Sequence, residues 1–512
     1  MTMYLTQGLH RALKQQPNAI ASVYCGRRRT YAELALRVAK LASALCKLGM
    51  RRGDRAGILA LNSDRYLEYY LGVYWAGGAV NPVNVHWSGA EIAYLLDDSG
   101  TRILLVDDQT KSLAADLPGL SKSLCTLIYA GDDAVPAGML SYEAMLAETE
   151  PMEDACRSGD DLAGVFYTSG TTGFPKGVML SHANVYTNAL SLLAEGMVAH
   201  GCIGLHAAAM FQFSDCVFMH AMLLRGACHV IIPSFSPLAM LEAVEQEKVS
   251  ECLLLPAMLQ RLVDHPDLPD YDLSSLNAIM YGADRITDAL IDRATSALPA
   301  VRFYQVYGMT ETAPVVTVLA PYYHTRAGRK QGKTGSAGRA TFCAEVCIVD
   351  SLGKEVPTGA VGEIAVRSPG VMLGYLNKPL ETAAVVRGGW MHTGDGGYMD
   401  EDGFVYMVDR IKDMIISGGE NVYSAEVENA VLRHPAVALC AVIGVPDSIL
   451  GERVHAVIVS KPGAAATEEE IGLHCKALIA DYKCPRSVEF RDALPLSGAG
   501  KVLKAKLRAL YW

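Results

Sequence analysis

Apolar and polar residues alternate along this chain in two rhythms, and the switches between them mark its elements. Thr30 is placed to cap a helix running through Leu48, residues 53–60 (GDRAGILA) read as a strand, and residues 103–108 (ILLVDD) as another. Val165, Phe166 and Tyr167 read as the end of a buried strand, and Ser181 is placed to cap a helix running toward Glu195. The rhythm continues through residues 228–233 (CHVIIP), a helix opened by Ser236 and Pro237, residues 252–256 (CLLLP), a short helix and residues 278–283 (AIMYGA). Such repetition predicts a mostly parallel sheet, with ligands beyond the carboxyl ends of its strands.

From Gly335 the pattern changes to short alternating strands and glycine-rich turns: residues 335–339, 343–350, 362–368 and 388–395. These predict a small β-rich, barrel-like subdomain over 335–408. Beyond it, a helix from Ser424, a second from a capping box at Thr467 and Glu470, and strands around Ala438–Ile443 and His455–Val459 predict an α+β piece.

A chain of 512 residues exceeds one ordinary core, so at least two domains are expected. The formal net charge of −10, with no long basic run, argues against a nucleic-acid surface. The thirteen cysteines are odd in number and scattered, which reads as free thiols in a reducing compartment rather than disulfides or zinc ligands. The N-terminus lacks the apolar core of a signal peptide, and the cytoplasm is the expected location. Residues 196–214 carry no Asp, Glu, Lys or Arg, but their glycines, histidines and glutamine read as a buried pocket wall rather than a membrane span.

The densest chemistry lies at residues 163–177, AGVFYTSGTTGFPKG. Thr168, Ser169, Gly170, Thr171, Thr172 and Gly173 have little side-chain bulk, so successive N–H groups and hydroxyls can wrap an anion. Lys176 follows the stiff Pro175 as a mobile positive charge. Because the order is Gly173-Phe174-Pro175-Lys176-Gly177, without Ser or Thr after the lysine, the Walker pattern fails at its metal-holding residue. Two predicted strand ends carry Met280-Tyr281-Gly282-Ala283-Asp284 and Val306-Tyr307-Gly308-Met309-Thr310-Glu311, where small residues and an aromatic could admit a planar base. Thr310 adds a hydroxyl for phosphate and Glu311 a carboxylate for magnesium. Further on come Trp390-x-x-Thr393-Gly394-Asp395, then Asp409-Arg410-Ile411-Lys412, Gly418-Gly419 and, near the end, Gly500-Lys501.

Any one of these residues alone has a bland reading: Tyr307 as core, Glu311 as a solvated carboxylate, Asp395 as a turn residue. Their order resembles the motifs of the adenylate-forming (AMP-binding) superfamily, in its acyl-CoA synthetase and 4-coumarate-CoA ligase-like branch, from roughly residue 30 to 505. The resemblance implies an α/β fold. A large N-terminal domain (1–408) would hold mixed α/β sheets and the β-rich subdomain, joined through a hinge at 409–412 with Lys412 to a small mobile α+β lid (413–512). It further implies an ATP-dependent acid-thiol ligase that forms acyl-AMP with release of pyrophosphate and then a coenzyme A thioester. In the roles carried over, residues 168–173, Gly282, Ala283 and Tyr307 bind the nucleotide, and Asp395 and Arg410 hold the ribose. Glu311 holds Mg2+, Lys176, Thr310 and Lys501 act at the phosphates, and Gly418 and Gly419 lie beside the pantetheine channel.

Phe211-Gln212-Phe213-Ser214 stands where amino-acid adenylation domains have an Asp for the substrate amine, which disfavours an α-amino acid. Met210, Gln212, Phe213, Met280, Val306, Gly308 and Met309 are the expected acyl-pocket residues. The branched Val306 stands where many coumarate-type ligases have glycine, and it should narrow the cavity. A small, neutral, apolar or aromatic monocarboxylic acid is therefore the expected substrate. A carrier-protein pantetheine as acceptor and a luciferase-like oxygenase remain as alternatives. The oligomeric state is left open, a homodimer being one outcome.

Overall fold

The computed structural model describes residues 3–168, 175–284, 286–410, 413–418, 420–496 and 502–512. Two sheets, not one, organise the first compact unit, which comprises residues 1–346 and 366–391. The nine-stranded sheet has at its centre the parallel strands Ile20–Tyr24, Cys228–Ile231, Ile203–His206, Glu251–Leu254, Ala278–Gly282 and Arg302–Gly308, in that spatial order. Antiparallel strands close both flanks: Arg27–Thr30 on one, Val315–Leu319 and then Arg339–Ala340 on the other. Arg339 and Ala340 therefore belong to this sheet and not to the β-rich stretch, since they pair with Val318 and Thr317. The eight-stranded sheet runs Gly374–Tyr375, Lys176–Ser181, Leu162–Thr168, Ala79–Pro82, Arg55–Leu59, Ile103–Val106, Thr126–Tyr129 and Leu140–Ser141.

The helix Asp64–Trp75 touches strands of both sheets and is buried at all twelve positions. Burial all round favours pairing of its polar groups, which its charged residues and the Tyr69 and Tyr70 hydroxyls achieve and, among the described residues, the Tyr66 and Tyr74 hydroxyls do not. Asp64 receives Arg27 at 2.7 Å, Glu68 receives Arg37 at 2.6 Å and the Tyr142 hydroxyl at 2.6 Å, and the Tyr69 and Tyr70 hydroxyls donate to the carbonyls of Ala56 and Met210. Arg29 reaches both carboxylates at 3.2 Å as well, so each buried acid has two arginine partners. The predicted caps are all formed: Thr30 with Glu33 and Ser181 with Asn184 make capping boxes, and Ser236 accepts from Ala239 N–H.

The β-rich stretch forms a five-stranded sheet along an open path, Glu345–Val349, Gly362–Arg367, Trp390–Met399 and Val386–Arg387, with Val405–Arg410 also on Trp390–Met399. The second compact unit comprises residues 347–365 and 392–512. Its C-terminal part is an α+β layer in which Gly451–Ser460 pairs with Val437–Asp447, Ile415–Ser417 and Ser487–Phe490. The helices Ser424–Leu432 and Glu468–Lys476 pack on this sheet through Val427, Val431, Ile471 and Cys475. None of the thirteen cysteines, all among the described residues, is in a disulfide. Among the described residues, no helix is long and apolar enough to cross a membrane.

Candidate active site

Thr168 ends the strand Leu162–Thr168, and its register partner is Lys176, the first residue of the antiparallel strand Lys176–Ser181. The Ser/Thr/Gly run is thus the connection of a hairpin, and both its ends are fixed. Ser169, Gly170, Thr171, Thr172 and Gly173 themselves lie outside the described residues, as do Lys412, Gly419 and Lys501. The Lys176 ammonium stands 5.1 Å from the ring centroid of Tyr375 and pairs with Glu381, whose carboxyl it holds below the usual range. The Tyr375 hydroxyl in turn donates to Glu311 Oε1 at 2.9 Å, and Glu311 is only 7% exposed. Lys176 and Glu311, 135 residues apart in the chain (311 − 176), are therefore brought to one side chain that the sequence reading missed. The overlooked signal is Gly374-Tyr375: this short strand pairs with Val178 and Met179, just after the loop.

Glu311 sits in a 3-10 turn, Thr310–Thr312, that follows directly on the strand Arg302–Gly308. Thr312 closes that turn, its hydroxyl donating to the carbonyls of Met309 and Pro314. Gly308 is required here by packing: a Cβ would stand 1.6 Å from the Pro314 carbonyl oxygen. Gly282 is likewise filled by protein, since its Cβ would meet the Val306 carbonyl at 2.2 Å. Strand packing alone thus requires glycine at both positions. Ala283, by contrast, adopts φ +65°, a strained conformation for a residue with a Cβ.

The same strand ends wall a partly open pocket of mostly apolar lining. Met280, Val306 and Gly308 line it as expected, and Ala283 and Tyr307 do so as well. Met197 and Ser214, from the stretch 196–214, line it too, and Leu192, Val217, Leu253, Pro314 and Val315, which the motifs did not reveal, complete it. Of these lining residues only Ser214 and Tyr307 have polar side chains, and none is charged. Met210, Gln212, Phe213 and Met309 are not among them. Met210 is wholly buried with its backbone tied to Asn62 and Tyr70, and Phe213 packs edge-on against Phe166 with ring centroids 4.5 Å apart. Gln212 is the N-cap residue of the helix Phe213–Arg225 but makes no side-chain capping bond, and Met309 begins the 3-10 turn. The nearby carboxylate Asp215 is taken by His206 at 2.8 Å, and His206 bonds His229 at 2.9 Å, all three buried.

In the second unit, Asp395 and Arg410 are cross-strand partners, a register that places the two expected ribose residues directly opposite each other. Asp395 is 3% exposed, and its N–H donates to the Thr393 hydroxyl, which donates to the Ile364 carbonyl. Glu363 accepts from Gly394 N–H and pairs with His392, fixing the turn at Gly394, whose φ is +71°. Gly418, at φ +61°, follows the strand Ile415–Ser417, and its N–H donates to the Leu450 carbonyl.

A hairpin loop followed by a lysine, a buried glutamate at a strand end, an apolar cavity and a registered Asp–Arg pair define an adenylate-forming enzyme. Residues 9–376 match the AMP-binding enzyme family and residues 426–501 the AMP-binding enzyme C-terminal domain. The chain belongs to this family of AMP-binding enzymes, among the acyl-CoA synthetases. It is 39% identical over 502 residues to a feruloyl-CoA synthase of Amycolatopsis sp, covering 98% of both chains. It is 32% identical to the fatty acid--[acyl-carrier-protein] ligase ScoC of Streptomyces coeruleorubidus, over 100% of this chain and 96% of the relative. The solved structure of ATP-bound MatB from Rhodopseudomonas palustris superposes with a TM-score of 0.89 at 30% identity, over 100% of this chain and 99% of the other.

Proposed function

We propose that this chain is an ATP-dependent acyl-CoA synthetase for a neutral, largely apolar or aromatic monocarboxylic acid. One observation carries the reading. The uncharged cavity is walled by Met280, Val306 and Gly308, and the Glu311–Tyr375–Lys176 group begins on the turn directly after Gly308. Acyl recognition and phosphate chemistry would thus meet at one strand end.

In the first step the acid's carboxylate oxygen attacks the α-phosphorus of ATP, forming a C–O–P bond as pyrophosphate departs. In the second a thiol sulfur attacks the acyl carbon and AMP leaves. No base is needed for a carboxylate already ionised at neutral pH. Lys176 and Lys501 would supply positive charge where two anions must meet, and the amides of residues 169–173 would supply donors. Glu311 offers nearly buried oxygen donors, which suit magnesium; the ion, when bound, supplies charge neutralisation along the polyphosphate. Thr168 and Thr310 add hydroxyls at the phosphates, Gly282, Ala283 and Tyr307 flank the adenine, and Asp395 accepts from the ribose hydroxyls with Arg410 opposite. Gly418 and Gly419 border the thiol's path. Lys412, in the segment 409–412, is the hinge about which residues 413–512 turn between the steps.

Coenzyme A is the acceptor on this reading, supported by the feruloyl-CoA synthase similarity. A carrier-protein pantetheine is the second reading, supported by the similarity to ScoC. The test is pyrophosphate release with a panel of carboxylic acids, with and without coenzyme A. Release that requires an apolar or aromatic monoacid, and a thioester that requires coenzyme A, is expected. Preference for a dicarboxylate such as malonate would refute the substrate class, because a second carboxylate would enter an uncharged cavity without a partner.

A further inference from the structure

We propose that Tyr375 is a positioning residue for the nucleotide end of the site, setting Glu311 through its hydroxyl and Lys176 through its ring. Its own placement is fixed by three separate sets of bonds. Tyr375 is 7% exposed and is the register partner of Val178, while Leu376 N–H donates to the Gly177 carbonyl at 2.8 Å. Tyr375 N–H donates to the Thr382 hydroxyl at 2.8 Å, and that hydroxyl donates to the Lys378 carbonyl at 2.9 Å. On the other side Met372 N–H donates to the Glu311 carbonyl at 2.9 Å. The segment 372–376 therefore spans from the strand that leaves the phosphate hairpin to the turn that carries Glu311, and Tyr375 is the side chain that reaches both charged groups.

The two contacts are chemically distinct. The phenol hydroxyl donates to Glu311 Oε1 and so restricts rotation of that carboxylate, a condition for presenting the other oxygen to a cation in a fixed direction. The ring face attracts the Lys176 ammonium through its quadrupole, and Glu381 holds the same ammonium by charge. Phenylalanine would keep the second contact and lose the first; leucine would lose both.

The inference rests on the reading that magnesium and ATP bind here, and calorimetric titration of the full chain with ATP, in magnesium or in EDTA and without acid, tests it apart from turnover. For the wild type, magnesium should tighten ATP binding. In Tyr375→Phe that tightening should shrink by roughly three-fold or more, as the loss of one hydrogen bond to the carboxylate implies, while metal-free binding stays within about two-fold. In Tyr375→Leu metal-free binding should also weaken by roughly two- to five-fold, as the loss of a cation–π contact implies. Unfolding temperatures measured in parallel report whether either variant acts through the fold, and an unchanged Tyr375→Phe midpoint is expected. An intact magnesium effect in Tyr375→Phe, or equal losses with and without metal in that variant, would overturn the proposal. A wild type that binds no ATP in either condition would instead contradict the nucleotide reading itself.

Discussion

At the scale of single residues, Val306 and Gly308 are neighbours on one strand end with opposite constraints. Val306 lines the cavity, and its carbonyl and a methyl group fill the space a side chain at Gly282 would need. Val306→Gly should therefore lengthen or widen the acyl pocket without moving the strand. We expect kcat/KM to rise for longer and cinnamate-type acids more than for short ones, each accommodated methylene being worth about 1 kcal/mol. A uniform change across acids of graded length would contradict Val306 as a steric limit. Gly308 has no such latitude, because an added Cβ would collide with the Pro314 backbone. Gly308→Ala should displace the Glu311 turn and cost about 1–3 kcal/mol, read as a lowered denaturation midpoint together with weakened nucleotide binding. An unaltered midpoint and affinity would show that the turn relaxes freely.

At the scale of elements, local chemistry was legible wherever it was self-contained. Thr30, Ser181, Ser236 and Thr467 each carry their capping partners within three residues, so the helices they open could be read directly. The strand Lys176–Ser181 was not read, because Pro175-Lys176-Gly177 looks like loop and its pairing partner lies on the far side of the Ser/Thr/Gly run. Ser424 begins its helix without capping it; the remote Asp409 accepts from Ser424 and from Ala425 N–H, a contact no local pattern could announce. Asp409 lies within the proposed hinge segment, and the two-step mechanism makes separable predictions for Lys501 and Lys412. Lys501→Ala should abolish adenylate formation but leave thioester formation from supplied acyl-adenylate largely intact, since its charge acts in the first transition state. Lys412→Pro should do the reverse by fixing φ at the hinge. Single-turnover rates for each half-reaction distinguish them, and equal loss of both steps in either variant would remove that residue from its role.

At the scale of the whole molecule, the motifs in sequence order disclosed the family but not which side chains meet. Tyr375 and Glu381 reach Lys176 only because a short strand adds to the edge of the eight-stranded sheet, and the cavity draws Leu192, Ser214 and Leu253 from three separate segments. The fold also buries histidines in its interior. Burial holds His182 down to about 4 and His220 to about 3, so both are neutral in the folded protein at neutral pH. In the unfolded chain a histidine takes up its proton near 6.5, so their contribution is complete above that pH and lost as pH falls from there toward 4. The unfolding temperature should drop between pH 7.5 and pH 5, and the drop should be smaller in His220→Phe; the same drop in both proteins would contradict this assignment.

The central claim is that one chain joins an acid to a thiol through an acyl-adenylate, and product stoichiometry tests it most directly. Purified protein would be incubated with magnesium, ATP, coenzyme A and a single aromatic or apolar monocarboxylic acid, and AMP, pyrophosphate and acyl-CoA quantified by mass analysis. The account predicts the three products in equal amounts, with acyl-AMP retained on the enzyme when coenzyme A is left out. ADP in place of AMP, or AMP and pyrophosphate released without any thioester when coenzyme A is present, would contradict it.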